Sequence, residues 1–302
     1  MSIIQMLLAT QGIVTPIGPT TGIYFSGCNG PYLNTVTRIN ACGALIGAET
    51  NAGSARNGIA GATIGTNGAF YGGFNVSFTR KITRINSSGA LVGSETTAGC
   101  EQSNSAGTKI GNNGVFYGGF FCCFGLSQVI RVNACGGLVG SVTSVTVGRY
   151  SHAGALVGSN GIFYGGVGHC CGAVLNRVTR INACGVKVGT CSNIGTARCL
   201  VAGARVGANG LFYSGRNNVG GTLSNIVTRI NACAALVGTE TTASTGRGAS
   251  AGSQVGANGV FYGGSSATSW INQRLQINAC GALVGSATNI GTGRTGLGGA
   301  SV

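Results

Sequence analysis

A seven-residue phrase, Asn-Gly-Val-Phe-Tyr-Gly-Gly, stands intact at residues 113–119 and again at 258–264. Looser copies occupy 67–73, 160–166 and 209–215, and residues 22–27 form a sixth, more divergent one. Their aromatic anchors, Phe25, Tyr71, Tyr117, Tyr164, Tyr213 and Tyr262, are separated by 46, 46, 47, 49 and 49 residues. A period of this size constrains the architecture before any local assignment does. Each unit is one supersecondary element that hides its apolar face only against its neighbours. The 302 residues are therefore expected to form one array of six units.

Each unit reads as four short strands. In residues 56–101 they fall at 59–65, 69–74, 81–86 and 90–96, with tight turns at Asn67-Gly68 and at 86–89. Asn-Gly suits the positive φ angles of a two-residue hairpin loop. Short, evenly spaced strands with Gly/Asn turns and no helical period indicate an all-β array. Internal spacings sharpen the picture. One arginine position precedes the aromatic anchor by 15 residues (Arg56 to Tyr71, Arg198 to Tyr213), and a second precedes the next first position by 18 (Arg38 to Arg56). Between anchor and second position the distance drifts from 13 to 16 residues. Length variation thus sits in one loop per unit, between the second and third strands, and surface loops are where function concentrates. The chain ends on a first strand (294–302), whereas residues 22–27 are a second strand lacking a first. Joining them completes a ring, where an open solenoid would need polar caps. The expected fold is a six-bladed β-propeller of four-stranded blades over residues 19–302, with blade 1 built from 295–302 plus 22–55. Residues 1–18 stand outside the repeat and read as an anchoring tail or extra strand, carried by Ile3, Ile4, Met6, Leu7 and Leu8.

Charge is scarce and one-sided. Asp is absent, Glu occurs at 49, 95, 101 and 240, and 18 Lys plus Arg give a net charge of +14. Such a balance favours anionic partners. Ten of the arginines occupy the two repeat positions (Arg38, Arg84, Arg131, Arg180, Arg229; Arg56, Arg149, Arg198, Arg247, Arg294) and are expected to bond carbonyls between blades. Of 13 cysteines, Cys42, Cys135, Cys184, Cys233 and Cys280 share one position inside Asn-Ala-(Cys)-type turns. Equivalent positions lie a blade apart, beyond the roughly 7 Å that a disulfide spans, so free thiols and synthesis in a reducing cytoplasm are expected. No apolar run approaches the ~18 residues of a membrane span.

The inventory is poor for catalysis. General acid–base work needs a poised carboxylate or His, yet Glu49, Glu95 and Glu240 fall at one repeat position on the fourth strand and there are only two His. No catalytic residue, metal or cofactor is expected. His169-Cys170-Cys171 and Cys122-Cys123, in the loops of blades 4 and 3, carry soft-metal donors, but vicinal cysteines do not readily chelate one tetrahedral ion. The variable loops remain as the candidate binding face: Tyr32; Phe74, Phe78, Arg80 and Lys81; Phe120, Phe121 and Phe124; His169 and Arg177; Arg216 and Asn217; Trp270 and Arg274. Aromatic residues with Arg are what binding surfaces are enriched in.

The order Arg180-Ile181-Asn182, a turn, residues 186–189, Arg198, Phe212-Tyr213 and Gly215 resembles the kelch repeat, over roughly residues 19–302. The pattern departs from that family where a Trp often stands eight residues after the second arginine position; here Ile46, Val92, Val139, Val188, Val237 or Val284 is found. The resemblance implies a propeller whose variable face binds partners. The first ten residues, Met-Ser-Ile-Ile-Gln-Met-Leu-Leu-Ala-Thr, resemble the opening of glycine-rich virion proteins of tailed phages. That implies a virion component assembled in the host cytoplasm. Its partners would be other virion proteins and a host-surface glycan or protein, with nucleic acid bound only nonspecifically and no membrane insertion. The alternatives are a cellular kelch-type protein-binding module and a carbohydrate-binding propeller using Trp270, Tyr32 and the Asn-rich loops.

Overall fold

The computed structural model describes residues 18–145, 148–169 and 172–302. The proposed anchor residues Ile3, Ile4, Met6, Leu7 and Leu8 lie outside them. The described residues form six four-stranded antiparallel sheets and no helix. The innermost strands are Ala60–Ile64, Ala106–Ile110, Ala153–Val157, Ala202–Val206, Ala251–Val255 and Gly298–Ser301. They contact one another in cyclic order, including the last against the first, so the protein is a closed six-bladed β-propeller. Blade 1 closes the ring across the termini. Gly298–Ser301 pairs antiparallel with Thr21–Cys28, from Gly22 opposite Ser301 to Phe25 opposite Gly298.

Burial follows the pleat. In the inner strands alternate residues are buried between blades, while the second and fourth face the channel. The second strands, such as Asn67–Tyr71 and Asn113–Tyr117, are buried on both faces after their first residue. Their aromatic pairs interlock around the ring: Phe25 with Phe70, Tyr71 with Phe116, Tyr117 with Phe163, Tyr164 with Phe212 and Tyr213 with Phe261, at 5.1–5.3 Å between centroids.

Two backbone rings fix the channel. At its waist stand Gly61, Gly107, Gly154, Gly203, Gly252 and Gly299. A Cβ on any of them would lie 2.3–2.9 Å from the carbonyl oxygen of the equivalent glycine one blade back. Only glycine lets the inner strands approach this closely. Nearer one end, residues 58, 104, 151, 200, 249 and 296 all take φ between 53° and 68°. Each donates its N–H to the carbonyl of its predecessor, closing a circle of six hydrogen bonds: Gly58 to Gly296 (2.7 Å), Asn104 to Gly58 (2.6 Å), Ser151 to Asn104 (2.8 Å), Leu200 to Ser151 (2.7 Å), Ala249 to Leu200 (3.0 Å) and Gly296 to Ala249 (3.0 Å). Four of the six are not glycine, and each left-handed residue costs about 1 kcal/mol. The circle offsets this by satisfying donors that would otherwise be buried unpaired.

The arginines act between blades, as their spacing led us to expect. Arg56, Arg149, Arg198, Arg247 and Arg294 are essentially fully buried. Each lays its guanidinium over the anchor ring of one blade, as Arg149 does over Tyr117 (5.1 Å) and Arg294 over Tyr262 (5.4 Å). The same fork reaches carbonyls of the next blade. Arg149 donates to the oxygens of Gly165, Arg177 and Phe163 at 3.1, 2.7 and 2.9 Å. Glu49, Glu95 and Glu240 join Arg294, Arg56 and Arg198 at 3.2, 3.2 and 3.9 Å. Blade 3 has neither charge: Gln102 stands at the arginine position and Val142 at the glutamate position. The second arginine ring binds the Asn-Ala turn of the following blade, through Arg84 to Ala134 O (3.3 Å) and Arg180 to Ala232 O (3.5 Å).

The Arg–Glu bridges make stability depend on pH. Burial alone would raise the Glu95 carboxyl, but hydrogen bonds from Ser54 and Thr83 and the charge of Arg56 outweigh it and bring the pKa to about 2. Burial lowers Arg56 to about 10, with Glu95 offsetting part of that effect, so the pair is ionised at neutral pH. A depressed carboxylate pKa contributes stability that is present above its unfolded value and lost as pH falls through the folded one. Stability is therefore expected to drop between about pH 4.5 and pH 2. Glu95→Gln should flatten that acid limb in urea melts taken across pH, and an unchanged limb would remove Glu95 from the account.

Two local expectations are corrected. The inner hairpin turns not at Asn67-Gly68 but at Gly65-Thr66, since Ile64 pairs with Asn67. Gly65, Gly111, Gly158, Gly207 and Gly256 have φ of 58–60°, the positive first position of a II′ turn. Gly68 is extended and is required for packing: a Cβ there would sit 2.9 Å from the Phe70 ring. The outer strand is also shorter than the expected 90–96. Leu91 bridges Ile85, Gly93 breaks the run at φ 66°, and continuous pairing resumes only at Thr96–Thr97.

Candidate binding face

All connections between second and third strands emerge at the channel end that carries the left-handed ring. They form small hairpins: Phe74–Asn75 with Ser77–Phe78 in blade 2, and Phe120–Phe121 with Phe124–Gly125 in blade 3. In blade 4 Val167–Gly168 pairs with Arg149–Tyr150. The first arm of each loop is also tied to the chain entering the next blade, through the bridges Asn57 to Phe74, Ser103 to Phe120, Cys199 to Arg216 and Gly248 to Ser265. The loops thus form a second, hydrogen-bonded tier above the blades.

Aromatic side chains link this tier over half of the ring. Tyr32 meets Phe74 (6.2 Å between centroids), Phe74 meets Phe78 (5.1 Å), Phe78 meets Phe121 (5.3 Å) and Phe120 (6.1 Å), and Phe120 meets Tyr150 (5.0 Å). Farther along, Phe124 of blade 3 stacks on His169 of blade 4 at 5.4 Å and 23°, and His169 Nδ1 pairs with the Gly125 carbonyl. Apolar groups project at the tips: Val76 is 89% exposed and Phe124 55%. Val76 has φ 62°, and the exposed Cys122 and Cys123 have φ 43° and 75°. A β-branched residue in the left-handed region is an outlier, and strain of this kind concentrates at functional sites.

The sequence-selected residues separate into groups. Tyr32, Phe78 and Phe121 come together in the aromatic arc, and Phe124 and His169 form a separate stacked pair on the same tier. Arg80 is exposed beside the arc. Lys81 is engaged below, donating to Ser54 Oγ (2.7 Å) and standing 3.4 Å from Glu95. Arg177 is half-buried, and its carbonyl accepts from Arg149. Arg216 and Asn217 sit in the blade 5 loop, where Arg216 donates to Gly221 O (3.1 Å). Trp270 lies half-exposed in the Ser-rich blade 6 loop with its ring beside Gly30 of blade 1. Arg274 does not belong to the face. It lies on the third strand opposite Tyr262, is 8% exposed and packs beneath Gly43. Its repeat position is that of the core residues Ile82, Val129, Val178 and Val227, so the strand's pleat turns it inward. Tyr150 is the arc member that sequence reasoning missed. It follows a buried arginine directly, and only the pairing with Val167 raises it into the loop tier. Cys170 and Cys171 lie outside the described residues. Among the described residues eleven cysteines are free, and no group of three His, Cys, Asp or Glu side chains could hold a metal ion.

The opposite end is built of turns. Asn86 Oδ1 accepts from the N–H groups of Ser88 (3.1 Å) and Ala90 (2.9 Å), and Asn133, Asn182, Asn231 and Asn278 repeat this closure. Cys42, Cys135, Cys184, Cys233 and Cys280 are exposed on these turns. The N-terminal segment joins the blades at this same end, where the Pro19 carbonyl accepts from Gly256 N–H at 2.7 Å.

The fold and its two dissimilar ends define a closed six-bladed β-propeller with a structured loop tier. No family model matches the chain, and no curated protein matches it. No described helix is long and apolar enough to cross a membrane.

Proposed function

We propose that this propeller is a non-enzymatic, kelch-type interaction protein that serves as a virion component of a tailed phage, with the loop tier meeting a host-surface glycan or protein. The observation that carries the binding assignment is the aromatic arc from Tyr32 to Tyr150, with strained, exposed apolar groups at its tips. Clustered aromatic anchors in a fixed frame are what binding hot spots consist of, and a tier bonded on both sides loses little entropy when a partner docks. The entry of the N-terminal segment at the opposite end suits attachment there to other virion proteins, leaving the loops outward. The Glu side chains at 49, 95 and 240 are already committed to arginines, which favours binding over acid–base chemistry. The half-exposed Trp270 beside the Ser-rich loop supports a second reading, stacking on a sugar ring in a carbohydrate-binding propeller.

The test is adsorption of particles carrying Phe124→Ala together with Val76→Gly. Neither side chain supports the core, and glycine relieves the left-handed strain at Val76 by about 1 kcal/mol. Host-cell adsorption is expected to fall about tenfold, the equivalent of ~1.4 kcal/mol, with particle yield unchanged. Full adsorption by the double variant, or particles that lack the chain, would overturn the proposal.

A further inference from the structure

The end of the channel away from the loop tier widens, below the glycine waist, into a funnel of about 380 Å³. Its wall is set by the pleat of the inner strands. With the second residue of each strand at the waist, the fourth faces the same space two residues farther down. In ring order these are Thr63, Lys109, Leu156, Arg205, Gln254 and Ser301. Two carry positive charge and none carries negative charge.

Neither charge is neutralised among the described residues. Lys109 has no hydrogen-bond or ion-pair partner among the described residues. Among the described residues Arg205 uses only Nε, toward Gly207 O at 3.2 Å. All four ion pairs of the described residues lie elsewhere. The surroundings reinforce the field. The ring of Arg84 and Arg180 and their equivalents opens on this end and bonds turn carbonyls, not carboxylates. Glu49, Glu95 and Glu240 are held by buried arginines, and Glu101 stands beside Gln102 toward the loop tier. Residues 1–17 contain no Asp or Glu. A concave site lined by one sign of charge concentrates counter-ions of the other.

We propose that this funnel binds a small polyvalent oxyanion, held between Lys109 of blade 3 and Arg205 of blade 5. The two cations flank the apolar Leu156 of blade 4, so they suit a ligand with two separated anionic groups better than a single small ion. Gln254, next to Arg205 in the ring and across from Lys109, donates one amide N–H to Gly256 O at 3.3 Å and keeps a second. Condensed phosphates and polycarboxylates share this chemistry. Arg prefers planar, forked recognition of either, while Lys acts as a point charge. The site is independent of the loop-tier reading and lies at the other end of the molecule.

Titration calorimetry of the full chain with inorganic tripolyphosphate, and in a second arm with citrate, tests the proposal. One saturable site per chain is expected, with affinity that falls as salt is raised. The Lys109→Gln and Arg205→Gln variants should each weaken binding about tenfold, and the double variant by ~100-fold, since each removes one charge-assisted contact. Arg80→Gln, at the loop tier, should change affinity less than about twofold. The variants should fold, because other blades carry Thr, Leu, Gln or Ser at the same position; matching thermal melts verify this. Tighter binding of tripolyphosphate or of citrate identifies the head group. Wild-type affinity in the folded double variant, or no saturable binding of either probe at millimolar concentration, would overturn the site.

Discussion

Replacing Gly61 by alanine is expected to destabilise the propeller by about 3 kcal/mol or more, although only one methyl group is added. The new Cβ would stand 2.3 Å from the carbonyl oxygen of Gly299 and 2.8 Å from its carbonyl carbon and nitrogen. No rotamer relieves this, because the obstacle is backbone on the neighbouring blade. One inner strand must retreat, and the ring of six passes the displacement on. Gly61 faces Gly299, so the strain falls on the C-terminal strand that completes blade 1. Gly137→Ala is the matched control. Its Cβ would make only ordinary contact with Asn133, at 3.4 Å, and other blades carry Ala there. Urea melts of the two variants should separate clearly, with Gly137→Ala within about 0.5 kcal/mol of the parent. Equal midpoints for Gly61→Ala and the parent would mean that the waist does not hold the ring.

Arg294→Met should cost about 3–5 kcal/mol, the usual penalty for leaving a buried ionic partner uncompensated. Arg294 is fully buried and donates to Tyr24 O (3.0 Å), Thr37 Oγ1 (2.8 Å) and Glu49 (3.2 Å) while covering the Tyr262 ring. It ties the last part of the chain to the first, and Glu49 adds a second tie by accepting from Thr292 N–H at 3.1 Å. Met keeps the bulk and loses the fork, so the measurement isolates the polar contacts. Adding Glu49→Gln should recover part of the loss, because the orphaned charge is then gone. A loss below about 1 kcal/mol for Arg294→Met would contradict this role.

The ring could be read from sequence because its cause is local and repeated. The aromatic anchors recur at nearly constant spacing, and the two incomplete ends complement each other. The inter-blade arginines were legible for the same reason, since ten side chains at two fixed positions must meet the same surroundings. What sequence reasoning missed depends on register and on the neighbouring blade. Asn67-Gly68 has the composition of a turn, but the pairing of Ile64 with Asn67 moves the loop two residues earlier. Nothing local in Leu200 or Ala249 signals a left-handed backbone, which is imposed by the circle of inter-blade hydrogen bonds. In the candidate face, Phe78, Phe121 and Phe124 were identifiable as aromatic loop residues. The union of Phe78 and Phe121 into one arc with Tyr150 required the bridges between loop and incoming chain. Arg274 was misplaced because the blade 6 loop ends at Asn272, two residues before it. The funnel charges were hidden because Lys109 and Arg205 are isolated in sequence and become neighbours only through closure.

Cryo-electron microscopy of intact source particles tests the functional account most directly. If the proposed virion role holds, a six-bladed disc stands on the particle surface, with the loop tier carrying Phe124 and Val76 facing outward and the Pro19 end against another virion protein. A disc seated with its loop tier buried in the particle, or particles with no such density, would contradict it.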